Sequence, residues 1–566
     1  MSYYHDNHRL DGIPGVVKND KGKFCVAPIQ SLPFIRAEFD GEIYYKTPLW
    51  KLLGQERPEK RPVEYLGPEP VVPALALKPY DYQIEGIKFM IDRLNNEGFV
   101  LCSDAVGLGK TLMSIGTLKW FVETRGARKI LIICKKSIKA QWEEEIRNIA
   151  DWHKVPIFVT GDTKKKRMSA YEGIKDVQAG ILITNYHSFL YDSAEINKTN
   201  YDICVIDEVH SIKGKDGKMN NLIGDTVKGK RTILLTGTPI MSRPEDIYGI
   251  IRLAAPGFFG EYEDFEKRYI RIYDGRYGRQ MIGARHLDEL QEKIRRILIM
   301  RSAEDVALEL PERKMKSVYC EMDATQRKMR SVIEERLDLI EERIEKVRSS
   351  SDLTPEERDR KVEELVKKSN VFNATLQFIA DDPAVLRYAS PKYGSVNHHL
   401  KEMLPASYKM SAKTEATLEI VNEIIDAGEK VIIFCHWKTS ARMLQDRLRS
   451  LDKANVVMYT GEESEEKRNM NVQAFKTDPS VNIIIGTEAM AEGLNLQVCP
   501  YLINYEQADT YAVREQRIGR IRRLGSKYKY IYVIDLVTKD EKSKDIAKLR
   551  KIKRDEALAS AILVSA

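Results

Sequence analysis

The stretch FVLCSDAVGLGKTLMSIGTLKWFV, residues 99–122, is the clearest indication of the fold in this chain. An apolar, strand-like run leads into a loop with two glycines, and an apolar, helix-like run follows directly. Gly107 and Gly109 carry no Cβ, so backbone N–H groups of the loop can approach phosphate oxygens. Lys110 can reach the β- and γ-phosphates, and the Thr111 hydroxyl can bind Mg²⁺. The stretch therefore predicts a phosphate-binding loop between a buried strand and a helix.

Similar apolar runs recur along the chain in two series. Helix-like stretches separate several of them, and buried strands that alternate with helices are typical of parallel sheets covered on both faces. The sequence therefore predicts an α/β protein with two separate sheets. The runs are FVLCS (99–103), KILIIC (129–134), GILIT (180–184), YDICVID (201–207) and RTILLT (231–236), then KVIIFC (430–435), NVVMY (455–459), VNIIIG (481–486), YLINY (501–505) and YIYVIDL (530–536).

The rest of the chain gives weaker patterns. Residues 1–72 hold many prolines and scattered aromatics, which predicts a small N-terminal accessory region of short strands and turns. Residues 245–405 are expected to be mainly helical, with a centre from Asp323 to Lys368 that is dense in charge. These charges fit the solvated faces of a helical hairpin, or a basic track along nucleic acid. Another amphipathic helix is predicted from Asp540 to the end.

Composition narrows the class of protein. Lys and Arg number 91 against 84 Asp and Glu, and this net charge of +7 permits contact with a phosphate backbone without demanding it. The 7 cysteines form no CxxC pair, so neither a disulfide framework nor a zinc site is indicated. No apolar run approaches the length of a membrane span, and the polar start is not typical of a signal peptide. We expect a soluble protein in a reducing compartment, with no membrane partner.

Two further runs carry polar groups at the ends of predicted strands. VIDEVH places Asp207, which would hold Mg²⁺, beside Glu208, which would orient and deprotonate the attacking water. His210 could couple the nucleotide to the rest of the domain or be an ordinary hydrogen-bonded histidine. In LLTGTP, Thr236 and Thr238 could sense the γ-phosphate, or the run could be a plain strand-to-helix turn.

The run QRIGRIRR, residues 516–523, is rich in arginine. A spacing of three residues predicts that Arg517, Arg520 and Arg523 lie on one face of a helix. Most charged helices are simply solvated, but guanidinium groups opposite a phosphate pocket would stabilise charge on the transferring phosphoryl group. Together with the glycine loop, this run predicts one ATPase site in a cleft between two domains.

The ordered set of motifs resembles the Swi/Snf (sucrose-non-fermenting type) ATPases of the superfamily-two helicases. The resemblance covers about residues 77–540, in order, and includes the family's linking segments. The adenine-reading glutamine motif is matched by LKPYDYQIEGIKFM (77–90), motif I by DAVGLGKT (104–111), motif Ia by IICKKSIKAQWEEEI (132–146) and the next DNA-strand motif by ILITNYHSFL (181–190). Motif II is matched by VIDEVHSIKG (205–214) and motif III by LLTGTPIMSRPEDIYGI (234–250). Motif IV is matched by VIIFCHW (431–437), motif V by GTEAMAEGLNL (486–496) and motif VI by QRIGRIRRLGS (516–526).

The chain departs from the family's usual residues at several motif positions. Ala105 and Val106 stand where the family usually has Glu and Met, and Arg522 stands where His is common. Met490 and Ala491 replace a typical pair of glycines in motif V. None of these changes removes a catalytic group. The change in motif V, and that of Met241 and Ser242 for the common Gln and Asn in motif III, concern the coupling of hydrolysis to movement rather than the chemistry.

The resemblance implies two RecA-like lobes with a helical protrusion block between them. The implied divisions are an N-terminal accessory region (1–72), lobe 1 (73–300), the helical protrusion and linker (301–405), lobe 2 (406–540) and a C-terminal helix (541–566). The cofactors are ATP and Mg²⁺, and the implied site has three parts. Its nucleotide and metal residues are Gln83 for adenine, Gly107, Leu108, Gly109, Lys110 and Thr111 for phosphates, and Thr111 and Asp207 for the metal. Its remaining catalytic residues are Glu208, Gln516, Arg520 and Arg523, and its DNA contacts are Lys135, Lys136, Asn185, Lys438 and Thr487.

By the same resemblance, the expected activity is ATP hydrolysis coupled to translocation on double-stranded DNA, with remodelling or displacement of DNA-bound proteins. A strand-separating or branch-remodelling helicase is one alternative, and a catalytically silent DNA-binding clamp is another. We expect a monomer in the cytoplasm of a prokaryote or of the host of a virus, or in the nucleus if the source is eukaryotic.

Overall fold

The computed structural model describes residues 64–212, 217–237, 244–275, 278–301, 306, 310–350, 352–388, 400–491, 494–523, 526–540 and 543–563, and two short N-terminal strands. These strands, β1 (Val17–Lys18) and β2 (Cys25–Val26), form an antiparallel pair. Most of the predicted accessory region and Thr238 lie outside the described residues. The chain divides into two compact units, one of residues 1–308 with 554–566 and one of residues 309–553.

The first unit contains a seven-stranded parallel sheet with the order β11-β3-β8-β7-β4-β6-β5. Its strands are β3 (Phe99–Cys102), β4 (Lys129–Cys134), β5 (Ile157–Val159), β6 (Gly180–Asn185), β7 (Ile203–Ile206), β8 (Arg231–Leu235) and β11 (Leu298–Ile299). A separate antiparallel hairpin consists of β9 (Ile270–Gly275) and β10 (Gly278–Ala284). The helices are α1 (Asp81–Asn96), α2 (Lys110–Arg125), α3 (Lys139–Ala150), α4 (Lys164–Asp176), α5 (Tyr186–Ile196), α6 (Lys218–Val227), α7 (Pro244–Ala254), α8 (Tyr262–Tyr269) and α9 (Leu287–Arg295).

Strand β4 shows why this sheet is buried on both faces. Its side chains alternate between two apolar cores, because successive residues of a strand point to opposite faces of the sheet. Leu131 and Ile133 belong to one core, whereas Ile130, Ile132 and Cys134 belong to the other. The β-branched run that predicted a strand is therefore explained by packing on both faces.

The second unit contains a six-stranded parallel sheet with the order β12-β17-β16-β13-β15-β14. Its strands are β12 (Glu312–Cys320), β13 (Val431–Phe434), β14 (Val456–Tyr459), β15 (Ile483–Gly486), β16 (Tyr501–Asn504) and β17 (Tyr530–Thr538). Its helices are α10 (Ala324–Ser349), α11 (Pro355–Asp381), α12 (Ala412–Asp426), α13 (Lys438–Leu448), α14 (Glu465–Thr477), α15 (Tyr511–Ile518) and α16 (Lys544–Leu563), whose last residues lie in the first unit.

The prediction of two α/β sheets is confirmed, and so is the C-terminal helix. Residues 245–405 are mainly helical, as predicted, but they also contain four strands that the prediction did not include, β9, β10, β11 and β12. β12 has the sequence ERKMKSVYC and lies at the edge of its sheet with most side chains exposed, so no apolar run marks it. β11 has only two residues, too few for any pattern. Among the described residues, no helix has an apolar stretch long enough to cross a bilayer.

Candidate active site

The phosphate-binding loop has the predicted context, with β3 before it and α2 beginning at Lys110. Gly107 and Gly109 have φ of 95° and 81°, a backbone conformation that side chains with a Cβ rarely adopt. The ammonium of Lys110 donates to the loop's own carbonyls, to Asp104 O at 2.7 Å and Ala105 O at 3.4 Å. The lysine is therefore held over the loop, at the positive end of the α2 dipole.

A buried ion pair anchors the first residue of this loop. Asp104 stands where the strict motif has glycine, and it is fully buried. The guanidinium of Arg301 donates to both carboxylate oxygens, with Nη2 to Oδ2 at 2.5 Å and Nε to Oδ1 at 3.2 Å. Arg301 also donates to the carbonyl of Tyr82, and its own carbonyl accepts from Ala105 N at 2.9 Å. Sequence reasoning missed this pair, although an aspartate in place of the motif's glycine is a signal that a partner exists.

Gln83 packs directly against the loop. Its Oε1 accepts from the backbone N–H of Tyr80, the N-cap residue of α1, at 3.0 Å. Its Nε2 donates to Leu108 O at 3.2 Å, and the Tyr82 hydroxyl donates to the same carbonyl at 3.0 Å. A Cβ at Gly109 would stand 2.3 Å from Gln83 Nε2. The glutamine thus supports the phosphate loop, while its adenine-reading role remains a prediction.

The two carboxylates of VIDEVH follow β7, whose neighbour β8 lies between it and β3. The carboxyl ends of these parallel strands meet at one edge, so Asp207 lies at the same edge as the phosphate loop. Asp207 is 9 % exposed, and its Oδ2 accepts from the indole N–H of Trp142 at 2.9 Å. Its carbonyl accepts from the Tyr186 hydroxyl at 2.5 Å. Glu208 has a left-handed backbone, with φ of 53°.

His210 links the carboxylates to the end of β8. Its Nδ1 lies 3.0 Å from Thr236 Oγ1 and 3.1 Å from Glu208 Oε2. Burial, followed by the neighbouring charge of Glu208, raises the pKa of Asp207 to about 6. Burial acts upward on Glu208 too, but the hydrogen bond and charge of His210 lower its pKa to about 2. The histidine is hydrogen-bonded, as the plainer interpretation expects, and it also connects motif II to motif III.

These residues fit a magnesium nucleotide by their chemistry. The carboxylate of Asp207 and the hydroxyl of Thr111 are oxygen donors, which Mg²⁺ prefers. Gly237 lies close to the loop, since a Cβ at this residue would stand 3.0 Å from Val106 Cγ2 and 3.9 Å from Lys110 Nζ. Glycine at this position therefore leaves room beside the lysine that is predicted to hold phosphates.

The arginine run of the second unit differs from the predicted helix. α15 ends at Ile518, so Arg520 and Arg523 both lie beyond the helix. Arg517 does not share a face with them: it is fully buried and donates to Glu488 Oε1 at 2.5 Å and Asn504 Oδ1 at 2.7 Å. The spacing argument failed because the chain leaves the helix at Gly519.

Arg520 and Arg523 nevertheless converge on one acceptor. Their guanidinium groups donate to the carbonyl of Leu494, in motif V, at 3.0 and 2.9 Å. Arg520 Nε also donates to the carbonyl of Gln516 at 3.0 Å. Arg520 and Arg523 are thus tied to motif V inside the second unit, and Arg520 also binds the backbone of Gln516.

The predicted DNA contacts of the first unit follow β4 and end β6. Lys135 is half-buried, and Lys136 is exposed and pairs with Asp162 at 2.8 Å. Asn185 is 6 % exposed, and its Oδ1 caps α5 by accepting from Ser188 N at 3.0 Å. The amide of Asn185 therefore serves the fold, and its contact with DNA stays a prediction.

The two predicted contacts of the second unit also lie after strands. Lys438 begins α13, and its Nζ would be 3.4 Å from a Cβ at Gly461. Thr487 follows β15 and is 8 % exposed. Their role in DNA binding stays a prediction.

The chain matches known families over most of its length. The SNF2-related domain matches residues 82–368, and the helicase conserved C-terminal domain matches residues 413–525. The TATA-binding protein-associated factor MOT1 of Saccharomyces cerevisiae is 26 % identical over 527 residues, covering 84 % of this chain and 27 % of the yeast protein. The uncharacterized ATP-dependent helicase YqhH of Bacillus subtilis is 24 % identical over 473 residues, covering 83 % and 77 %.

One further relative is similar to the chain in sequence, and one solved structure is similar to it in coordinates. The chromodomain-helicase-DNA-binding protein 1-like of Danio rerio is 26 % identical over 464 residues, covering 79 % of this chain and 41 % of that protein. The Sulfolobus solfataricus SWI2/SNF2 ATPase core in complex with dsDNA has a TM-score of 0.37 and 23 % identity, covering 87 % and 94 %. The chain thus spans only about a quarter of the yeast relative. Since the SNF2-related match alone spans more than half of the 566 residues, the chain belongs to the SNF2-related family of helicase-like ATPases and is an ATP hydrolase.

Proposed function

We propose that this ATP hydrolase is stimulated by double-stranded DNA and translocates along it. The observation that carries the proposal is the arrangement at one edge of the first sheet. The phosphate loop, the Asp207–Glu208 pair and the end of β8 lie at this edge, and the segment with Lys135 and Lys136 begins there too. The nucleotide groups and the predicted DNA segment therefore share one rigid support.

At the nucleotide, each group has a defined part. Lys110 would exchange its hydrogen bonds to loop carbonyls for bonds to the β- and γ-phosphates. Asp207 and Thr111 would hold Mg²⁺, which neutralises phosphate charge when it is bound. Glu208, whose pKa lies well below neutrality, is ionised and so able to orient a water molecule for attack.

Arg520 and Arg523 belong to the proposal through the family resemblance. Both guanidinium groups already point to one carbonyl, that of Leu494. We propose that they stabilise charge on the transferring phosphoryl group, for which arginine is suited because its planar fork stays charged. Their replacement by methionine should lower kcat far more than it lowers nucleotide affinity.

DNA as the track is supported by relatives and by charge. The zebrafish relative is named as a DNA-binding protein, and this chain carries a net charge of +7. Contacts to phosphates carry no sequence information, so binding should be sequence-tolerant and weaken steeply with salt. Displacement of a DNA-bound protein is the further step that we propose for the movement.

The deciding experiment measures the ATPase rate without DNA and with single-stranded, double-stranded and forked DNA. We expect strong stimulation by duplex DNA, near-complete loss of hydrolysis in Lys110→Ala and Glu208→Gln, and no loss in Lys165→Ala, whose lysine is exposed on α4. Equal rates with and without DNA would refute the proposal.

A triplex-displacement assay beside a strand-unwinding assay identifies the movement. Release of the third strand without separation of the duplex supports translocation, whereas unwinding supports a strand-separating helicase. A flat phosphate-release trace with every nucleic acid supports a silent clamp. Removal of a tightly bound, cleavage-deficient restriction enzyme from duplex DNA tests protein displacement.

A further inference from the structure

Two aromatic side chains hold Asp207 from separate segments of the first unit. Trp142, on α3, donates its indole N–H to Oδ2 of the carboxylate at 2.9 Å. Tyr186, the first residue of α5, donates its hydroxyl to the Asp207 carbonyl at 2.5 Å. Trp142 is 2 % exposed, so solvent does not replace its hydrogen bond readily. Asp207 is thus fixed at its side chain by one segment and at its backbone by the other.

Each of these segments starts with residues that are predicted to contact DNA. Lys135 and Lys136 lead into a short 3₁₀ turn, Lys136–Ile138, and then into α3 with Trp142. Asn185 caps α5 and directly precedes Tyr186. Fewer than two helical turns separate the lysines from the indole, and a single peptide bond separates Asn185 from the tyrosine. A small shift at either segment therefore reaches Asp207 through one side chain.

We propose that Trp142 and Tyr186 are positioning residues through which DNA contact sets the place of the Asp207–Glu208 pair. The inference rests on the proposed function and adds the regulation of the same site. The two hydrogen bonds act on different atoms. The indole holds the carboxylate that would bind the metal, whereas the hydroxyl holds the backbone just before Glu208, whose φ of 53° needs such support.

The different atoms predict different effects of removing each hydrogen bond. Loss of a hydrogen-bond partner of a metal ligand typically costs about 10- to 100-fold in metal affinity or activity. Trp142→Phe keeps an aromatic ring and removes the N–H, so it should weaken Mg²⁺-dependent nucleotide binding about tenfold. Tyr186→Phe removes the hydroxyl, so it should lower kcat about tenfold and leave nucleotide affinity nearly unchanged.

The chain offers a matched control for each variant. Trp152 is a half-buried tryptophan that packs on the same core as Trp142, so Trp152→Phe removes an indole N–H elsewhere in that core. Tyr171 is buried, and its hydroxyl donates to Asp192 at 3.1 Å, so Tyr171→Phe removes a comparable hydrogen bond to a carboxylate. Both controls should behave like the wild type in every measurement.

The first measurement is the affinity for a fluorescent ADP analogue in MgCl₂ and in EDTA. We expect Trp142→Phe to lose about tenfold in MgCl₂ and nothing in EDTA. An equal loss in both solutions would mean that the pocket is merely damaged, and no loss would mean that the indole does not position the metal ligand. Either result overturns this part of the proposal.

The second measurement is the ratio of ATPase rates with and without saturating duplex DNA. We expect the ratio to fall about tenfold in Trp142→Phe and Tyr186→Phe, while the DNA concentration for half-maximal stimulation is unchanged. Ratios like those of the control variants would overturn the regulatory role. If the wild type itself is not stimulated, the proposed function fails and the regulatory role with it, whereas the nucleotide-binding comparison still judges the positioning role of Trp142.

Discussion

Replacing Arg301 by methionine should destabilise the first unit through the phosphate loop. The side chain of Arg301 is 7 % exposed and that of Asp104 is fully buried, so water cannot solvate the aspartate that remains. Breaking a buried ion pair by removing one partner costs about 3–5 kcal/mol. Arg301→Met should therefore lower the free energy of unfolding of this unit by about 3 kcal/mol or more.

Asp104→Asn should cost less, about 1–2 kcal/mol, because an amide oxygen still accepts from the guanidinium. If the two residues act as a pair, the double variant should lose less than the sum of the single losses, by about 1–3 kcal/mol. Arg296→Met is the control, since Arg296 is 62 % exposed and pairs with Glu97 at 2.7 Å on the surface. Exposed ion pairs contribute about 0–1 kcal/mol.

The assay must report on the first unit, because a chain with two compact units need not unfold in one step. Trp437 is the single one of the 5 tryptophans that lies in the second unit, so urea unfolding of a Trp437→Phe background, followed by tryptophan fluorescence, reports on the first. A loss in Arg301→Met as small as that in the control, or additive losses in the double variant, would refute the anchoring of the loop by this pair.

Three further predictions concern other sites. Gly109→Ala should abolish binding of a fluorescent ADP analogue, because the added Cβ would lie 2.3 Å from Gln83 Nε2 and the backbone has a φ of 81°. Gly126→Ala is the control and should bind the analogue normally, because Gly126 has a similar φ of 67° but no atom near the place of the added Cβ. Lys413→Met removes the cation that lies 2.5 Å from the buried Asp381 and 2.7 Å from the buried Asp545, so it should lower the free energy of unfolding by about 3–5 kcal/mol, seen as faster hydrogen exchange in α12. Lys453→Met removes an exposed ion pair and should leave this exchange unchanged. Equal exchange rates in the two variants would contradict the argument. Six cysteines are buried, and burial is the main cause that raises the pKa of each thiol: Cys102, Cys134, Cys204, Cys320, Cys435 and Cys499. These six should resist iodoacetamide in the native protein, and mass spectrometry that finds rapid labelling at any of them would contradict their burial.

The parts of the site that are local in sequence were predictable. The loop around Gly107 and Lys110 was visible because strand, glycines and helix are adjacent in the chain and each has its own pattern. Asp207 and Glu208 were visible for the same reason, since a β-branched run directly precedes them. Both sheets followed from strands buried on two faces, which read as continuous apolar runs.

The parts that depend on distant partners were not predictable. Asp104 and Arg301 are 197 residues apart, and only the neighbouring strands β3 and β11 bring them together. The segment of Trp142 resembles a DNA motif, and nothing in its sequence indicates that the indole reaches Asp207. The spacing of three residues groups Arg517 with Arg520 and Arg523, but this grouping requires a helix that continues past Gly519. The sequence does not fix the end of a helix to within one or two residues.

The three cations that are predicted to meet the phosphates of the nucleotide share one property in this structure: each donates to backbone carbonyls. Lys110 donates to the carbonyl of Asp104, and Arg520 and Arg523 both donate to that of Leu494. These acceptors are neutral, whereas a phosphate oxygen adds the attraction of an opposite charge to the hydrogen bond. An exchange of carbonyl for phosphate therefore gains energy without first removing the cation from water. The carbonyls hold each cation in one conformation, so that little side-chain entropy is lost when the nucleotide binds.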